Sequence, residues 1–438
     1  MKKKIVIITA VFIVAAASIV GFLAFEKYKD SKGNSIPSEV TNSETVCDEY
    51  GVIYDGSRRV LIEIPENSGI TEFTVPDSVE TIGYGAFKKC KSLKKITFGE
   101  KFKGNLNRED FDCYALEEIV IEGENEKYST FNGVLFNKEQ TEMLCYPPMK
   151  PDETFEVPSS VIKIRDFGGK KLKNAVIPDS VKVIFDYAFS NAESLETVSI
   201  GKGLEFFESG DILGIGTESE NPFYNCNNLK FITVDEENEC FKNDSFGALY
   251  SKNMKYLLSV PSDVSVNEFT VLDTVVELGF CFINCADLEV INVGSGVENI
   301  FIYSMLDGSN LYGFKDCIAL REINVSSDNP YFESIDGILY FEGGESLVFY
   351  PPSKKGESFA VPNHVSSIGM RSFHNNRYLE KVFVHKNAEF EHYVYFACDE
   401  NGLMFDLYCE SGNHSKWEHK PQSDNEHTIH YNSKGLPK

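Results

Sequence analysis

The chain has 438 residues, 42% hydrophobic and 13% aromatic, which is enough apolar side chain to bury a large core and to set disorder aside. Sixty-seven acidic residues against 42 basic ones give a formal charge of -25. A surface so acidic repels phosphate backbones and anionic lipid headgroups, so no nucleic acid is expected among its partners.

At the N-terminus, Lys2, Lys3 and Lys4 precede an uncharged run from Ile5 to Phe25, which Glu26, Lys27 and Lys29 close. At about 1.5 Å of rise per residue, such a run spans a hydrocarbon layer of ~30 Å. A cleaved signal peptide has a shorter apolar region, roughly 7 to 15 residues, ahead of a small-residue site. Ala15 and Ala17 offer that site, but Ile19, Val20, Phe22, Leu23 and Phe25 carry the apolar stretch past it. Residues 1-30 are therefore read as an uncleaved anchor, a transmembrane helix through residues 5-25, with secretion after signal cleavage as the alternative. Lysines flank the run on both sides, so the positive-inside count orients it only weakly. The bulk of the chain lies downstream and is expected outside the cell. Residues 31-46, polar and carrying Ser, Asn and Pro, read as a flexible linker.

From there on a phrase recurs. It is clearest as VPDSVETIGYGAFKKCKSLKKITF from Val75, and it returns from Ile177, Val271 and Val361. Its skeleton is P-x-x-V-x-x-I, then A-F-x-x-C, then L-x-x-I-x-hydrophobic. Partial copies from Phe111, Phe223 and Phe314 keep only the second half. The closing residues (Leu93, Ile96, Phe98; Leu288, Ile291, Val293; Leu320, Ile323, Val325) end in the alternation of a short strand with one buried face. The A-F element is expected in the tight bend that reverses the chain. One such unit cannot bury its own face, so units must stack, about ten of them.

Leu93 to Leu116 and Leu172 to Leu195 are each 23 residues apart, the basic unit, whereas Leu229 to Leu288 and Leu320 to Leu379 are each 59. The longer gaps hold a second phrase: FNGVLFNKEQTEMLCYPP from Phe131, FGALYSKNMKYLLSVP from Phe246, DGILYFEGGESLVFYPP from Asp336 and, more loosely, YGVIYDGSRRVLIEIP from Tyr50. An apolar strand, a polar turn and a second apolar strand closed by proline is the pattern of a β-hairpin or paired β-arc.

This alternation of phrases resembles the BspA-type leucine-rich repeats of bacterial and protist surface proteins, over roughly residues 47 to 410. The resemblance implies a right-handed, mainly β solenoid with short helical turns, and a surface protein concerned with adhesion or with binding a host or matrix partner. It offers no catalytic residues to carry over and no cofactor. The expected organisation is 1-30 anchor or signal segment, 31-46 linker, 47-406 leucine-rich repeat solenoid and 407-438 C-terminal cap and tail. The cap resembles the closing strand and C-E…W element of such arrays and holds Trp417, the single tryptophan.

Chemistry is sparse. Cys90, Cys113, Cys226, Cys285 and Cys317 each stand three residues before the repeat leucine, a packing position that favours small buried thiols over disulfides; Cys398 and Cys409 stay open. All eight histidines fall from His364 onward without a metal-site spacing, and read as surface residues. No nucleophile elbow, phosphate-cradling loop or calcium loop is present in the sequence. Two gaps, Leu195 to Leu229 (34 residues) and Leu288 to Leu320 (32), carry insertions at the same repeat point, near 209 to 221 and 303 to 313. Equivalent insertions emerge on one side of a solenoid, so Ile212, Leu213, Ile215, Met305, Leu306 and Tyr312 are expected to form a partner-binding surface, or else to widen two turns. The expected function is non-catalytic binding of a protein or glycan on a surface or matrix; the rival is a structural spacer.

Overall fold

The computed structural model describes residues 45–106, 108–111, 113–185, 187–208, 221–300, 313–369, 372–390, 405–410 and 429–430. They fall into two compact units, the first ending at Lys138 and the second starting at Glu139. The expected anchor and the linker up to residue 44 lie outside the described residues, among which no helix is long and apolar enough to cross a membrane.

Both units are stacks of β coils, and each coil contributes two strands. The L-x-x-I phrase gives the longer one. In the first unit Lys95–Phe98 pairs in parallel with Glu72–Val75 and with Glu118–Ile121. In the second, Thr154–Glu156, Asn174–Ile177, Thr197–Ile200 and Phe231–Val234 form one parallel ladder, and Glu268–Thr270, Val290–Val293 and Glu322–Val325 another. The P-x-x-V phrase makes a turn, with Val79 N donating to Pro76 O at 2.9 Å and Val365 N to Pro362 O at 3.0 Å. A two-residue strand follows, such as Ser367–Ile368 between Ser346–Phe349 and Glu389–Phe390. That second, shorter ladder is not visible as a strand in the sequence, because two residues are too few to show an alternation. The repeat leucines Leu93, Leu195, Leu288 and Leu379 are all buried within their own units.

The A-F element occupies the bend, as expected. Phe87 and Phe189 are fully buried, and rings of successive coils stack, Phe189 on Phe223 at 5.2 Å and Phe282 on Phe314 at 6.0 Å. The expected short helical turns are not what closes the coils. Among the described residues a 3-10 turn is formed at Arg108–Phe111, while the short segment Glu342–Gly344 is broken by the positive φ of Gly343. A physical reason lies two residues past the aromatic, where Asn191, Asn225, Asn284, Asp316 and Asn375 take positive φ. That left-handed step, tolerated best by Asn and Asp among residues with a side chain, interrupts any helix.

The repeat cysteines are free and buried. Their thiols also bond backwards along the stack: Cys113 Sγ lies 3.2 Å from Cys90 O, Cys226 Sγ 3.1 Å from Phe189 O and Cys317 Sγ 2.8 Å from Phe282 O. Cys409 is free and buried as well. Two of the histidines expected at the surface are buried. His374 follows the core Phe373, and His385 sets its Nε2 3.0 Å from Pro362 O while its Nδ1 accepts from Asn387 N.

The second phrase is a three-stranded antiparallel meander rather than a two-stranded hairpin. Thr45–Cys47, Ile53–Asp55 and Val60–Glu63 form one in the first unit; Phe241–Asn243, Leu249–Ser251, Tyr256–Ser259 and then Phe332–Ile335, Ile338–Phe341, Ser346–Phe349 form two in the second. A buried asparagine hooks such insertions to the coil before them. Asn238 Nδ2 donates to Gly201 O and Leu204 O, both at 3.1 Å, while its Oδ1 accepts from the N–H groups of Cys240 and Phe241. Asn125 and Asn329 repeat the arrangement. At the far end, Asp406–Cys409 continues the ladder in parallel with Lys381–Val384, and Ile429–His430 follows it; Trp417 lies outside the described residues.

Candidate ligand-binding face

Alternation along the long strands turns Phe269, Ile291 and Ile323 inward and leaves Thr270, Asn292 and Asn324 facing out, in one register row. These three are bonded to one another across the coils. Asn292 Nδ2 donates to Thr270 Oγ1 at 3.2 Å and to Glu268 Oε1 at 2.7 Å, and Asn324 Nδ2 donates to Asn292 Oδ1 at 3.1 Å. A second row does the same in the preceding ladder: Asn174 Nδ2 donates to Thr154 Oγ1 at 3.2 Å, and Thr197 Oγ1 to Asn174 Oδ1 at 2.7 Å. Amides and hydroxyls that satisfy each other are held in fixed rotamers, so each row presents ordered polar groups at the strand spacing.

Each row ends where a meander folds over the last strand. The meander's glycine caps that strand: Ile232 N donates to Gly247 O at 3.2 Å, and Ile323 N to Gly337 O at 2.9 Å. Both glycines have positive φ, 78° and 71°, and an added Cβ would press on the strand beneath, 2.9 Å from Phe231 Cα or 3.3 Å from Glu322 Cα. The next outward N–H of the strand is also taken, Val325 N by Ser334 Oγ at 3.0 Å.

The two junctions differ in what fills them. At the first, Phe231 sits under the turn and Phe246 packs its ring 6.3 Å from Phe269. At the second, Glu322 and Asp336 hold the equivalent places, and a groove of about 650 Å³ remains open, lined by Arg321, Glu322, Asn324, Ser334, Asp336, Gly337, Ser353, Lys354 and Lys355. Arg321 is steadied by Glu289, 3.1 Å from its Nε, and by Glu322, 3.0 Å from Nη1. Lys354 is held by the carboxylate of Asp336 at 3.0 Å and by its carbonyl. Ser353 Oγ donates to Ile318 O at 2.8 Å. Lys355 is exposed and forms no ion pair among the described residues. Elsewhere lysines are spent on ion pairs between adjacent coils, such as Lys170 to Glu193, Lys202 to Glu237 and Lys230 to Glu196.

The six expected contact residues, Ile212, Leu213, Ile215, Met305, Leu306 and Tyr312, lie outside the described residues. Sequence reasoning passed over the groove because its walls come from three separated segments. The available signal was the PPSKK tail that closes the copy of the second phrase from Asp336, where the copy from Phe246 closes on VPSDV. Among the described residues no group of three or more His, Cys, Asp or Glu side chains is arranged to hold a metal ion.

A sequence model of the BspA type leucine rich repeat region matches the chain in six copies, over residues 65–147, 153–259 and 345–402. Comparison with curated proteins gave no significant match. Among solved structures the chain is similar to a leucine rich cell surface protein from Faecalibacterium prausnitzii A2-165, at 18% identity over 90% of this chain and 93% of that one, with a TM-score of 0.45. It is similar to the pneumococcal vaccine antigen PcpA at 14% identity over 88% and 98%, TM-score 0.41. A leucine-rich repeat protein from Bacteroides ovatus matches at 18% identity over 80% and 97%, TM-score 0.34.

Proposed function

The chain belongs to the BspA-type leucine-rich repeat family, and from that premise we propose that it is a non-catalytic binding protein, displayed outside a bacterial cell, that engages a protein or glycan on a surface or matrix. The observation that carries this reading is the outward row Thr270, Asn292 and Asn324, whose side chains are locked to one another and run into an open polar groove. A spacer without a ligand needs outward residues only for solubility, and isolated charges supply that. Display outside the cell rests on the apolar run from Ile5 to Phe25, read as a membrane anchor, with secretion after cleavage as the alternative. The insertions near 209 to 221 and 303 to 313, with Ile212, Leu213, Ile215, Met305, Leu306 and Tyr312, are proposed as a second contact region because they fall at one repeat position.

The test is saturable binding of the full chain to immobilised matrix proteins and to cell-surface glycans. Binding that weakens when Asn292 or Thr270 is changed to Arg, with melting unchanged, supports the reading. A chain that binds neither, and whose biological effect follows only the number of repeats, is the spacer.

A further inference from the structure

We infer that the groove over strand Glu322–Val325 is a site for a carboxylate-bearing sugar residue, a uronate or sialate unit of an acidic glycan. The inference rests on the binding role proposed above and names its ligand. The first step is what the site cannot take. An extended peptide docking on a strand edge needs free main-chain N–H groups, yet Ile323 N is bonded to Gly337 O and Val325 N to Ser334 Oγ. Recognition is left to side chains. None lining the groove is aromatic or aliphatic, so an apolar peptide anchor has no pocket here.

The remaining valences suit a polyhydroxylated anion. Arg321 is engaged through Nε and Nη1, which leaves Nη2 as a further donor at the groove, and Lys355 adds an ammonium with no ion pair among the described residues. Asn324 spends its amide nitrogen on Asn292, leaving Oδ1 as an acceptor. Ser334 Oγ accepts from Val325 N and keeps its own hydroxyl hydrogen, while Ser353 donates and keeps its lone pairs. With Glu289 counted beside Glu322 and Asp336, the three cations are balanced, so on a chain of charge -25 the groove is a locally neutral patch in which Lys355 is the cation without an ion pair among the described residues. A charge-assisted bond to a carboxylate, with hydroxyls met by alternating donors and acceptors, is what that set offers. The preceding junction, closed by Phe231 and Phe246, has none of it.

The experiment is calorimetric titration of the full chain with 3′-sialyllactose and a hyaluronan tetrasaccharide, with lactose and a Glu-rich peptide beside them. Expected are binding of the carboxylated sugars, weak or absent binding of lactose and peptide, and a loss of about tenfold or more for Lys355→Glu and for Asn324→Val. Lys355 is exposed and has no ion pair among the described residues, so its variant stays folded even where changes at Arg321 do not. Equal binding of lactose, preference for the peptide, or indifference to Lys355→Glu would overturn the assignment. Matrix or cell binding that persists alongside such a result leaves the binding role standing, whereas loss of all binding sinks both.

Discussion

The side-chain amide of Asn238 donates to the carbonyl of Leu204 at 3.1 Å, across two coils of the second unit and out of contact with water. With its bond to Gly201 O and the two N–H groups it accepts, one side chain satisfies four main-chain groups that an inserted meander would otherwise strand. Asn238→Ala is expected to cost roughly 3 kcal/mol, since each buried polar group left unmet costs about 1–3. Asn238→Asp should also destabilise at neutral pH, because a carboxylate would face two carbonyls, and should recover part of the loss in acid. Urea unfolding at pH 7 and pH 4 reads both; a neutral Asn238→Ala would show that the hook carries no stability.

Gly337 and Gly343 share a positive φ, 71° and 72°, yet only Gly337 lies against a strand, its missing Cβ 2.7 Å from Glu322 Cγ, while the Cβ of Gly343 would meet open space. Gly343→Ala should therefore cost about 1 kcal/mol, the strain of the left-handed region alone. Gly337→Ala should cost two to three times as much, roughly, and weaken any ligand in the groove, because the turn must lift from the strand. Thermal melts of the two variants side by side settle it, and equal losses would show that the close approach is unimportant.

Stacking was readable in the sequence because it rests on volume and period. Leu288, Ile291 and Cys285 recur at fixed steps, and burial in a coil leaves them no alternative environment. The other half of the stability comes from polar hooks, and polarity alone does not announce itself: Asn125, Asn238 and Asn329 sit among acids and glycines that read as loop. His385 reads as a surface residue for the same reason, since a ring that finds a carbonyl can be buried at little cost. The first meander strand, Phe332–Ile335, hides because burial falls steadily from Phe332 through half-buried Glu333 and Ser334 to exposed Ile335, with no alternation to read. The groove depended on which strand each turn would cover, and that is a property of the stack.

Thiol chemistry should follow burial. Cys47 is exposed and Cys240 half-buried, whereas Cys90, Cys113, Cys226, Cys285 and Cys317 are enclosed. Burial pushes the Cys409 thiol up to about 12 and raises Cys226 and Cys317 as well, so at pH 8 these remain protonated and slow. Alkylation of the native chain, mapped by mass spectrometry, is expected to mark Cys47 first, then Cys240, and the repeat thiols only after unfolding. Replacing Cys226 by Ser, which keeps a donor for Phe189 O, should cost less than about 2 kcal/mol. Rapid native labelling of Cys226 or Cys317 would contradict the packing described.

Glu277 gives the fold a pH dependence of its own. In the short ladder it stands in register between Tyr256 and Asn299, with no cation opposite, and desolvation raises its carboxyl to about 7 from an ordinary value of 4.5. Between those two values the folded chain holds a proton that the unfolded chain has released, so stability from this group declines as pH rises from about 4.5 to about 7 and is flat above. Acids held low by neighbours, such as Asp273 beside Ser295, act in the opposite sense but only at lower pH. Melting temperature should thus fall between pH 5.5 and pH 7.5 in the native chain and change less in Glu277→Gln, whose amide is neutral throughout. The two should converge only at or below about pH 4.5, with the variant the more stable at pH 8. A Glu277→Gln curve parallel to that of the native chain across this range would show that Glu277 is ionised in the fold and that its burial has no energetic weight.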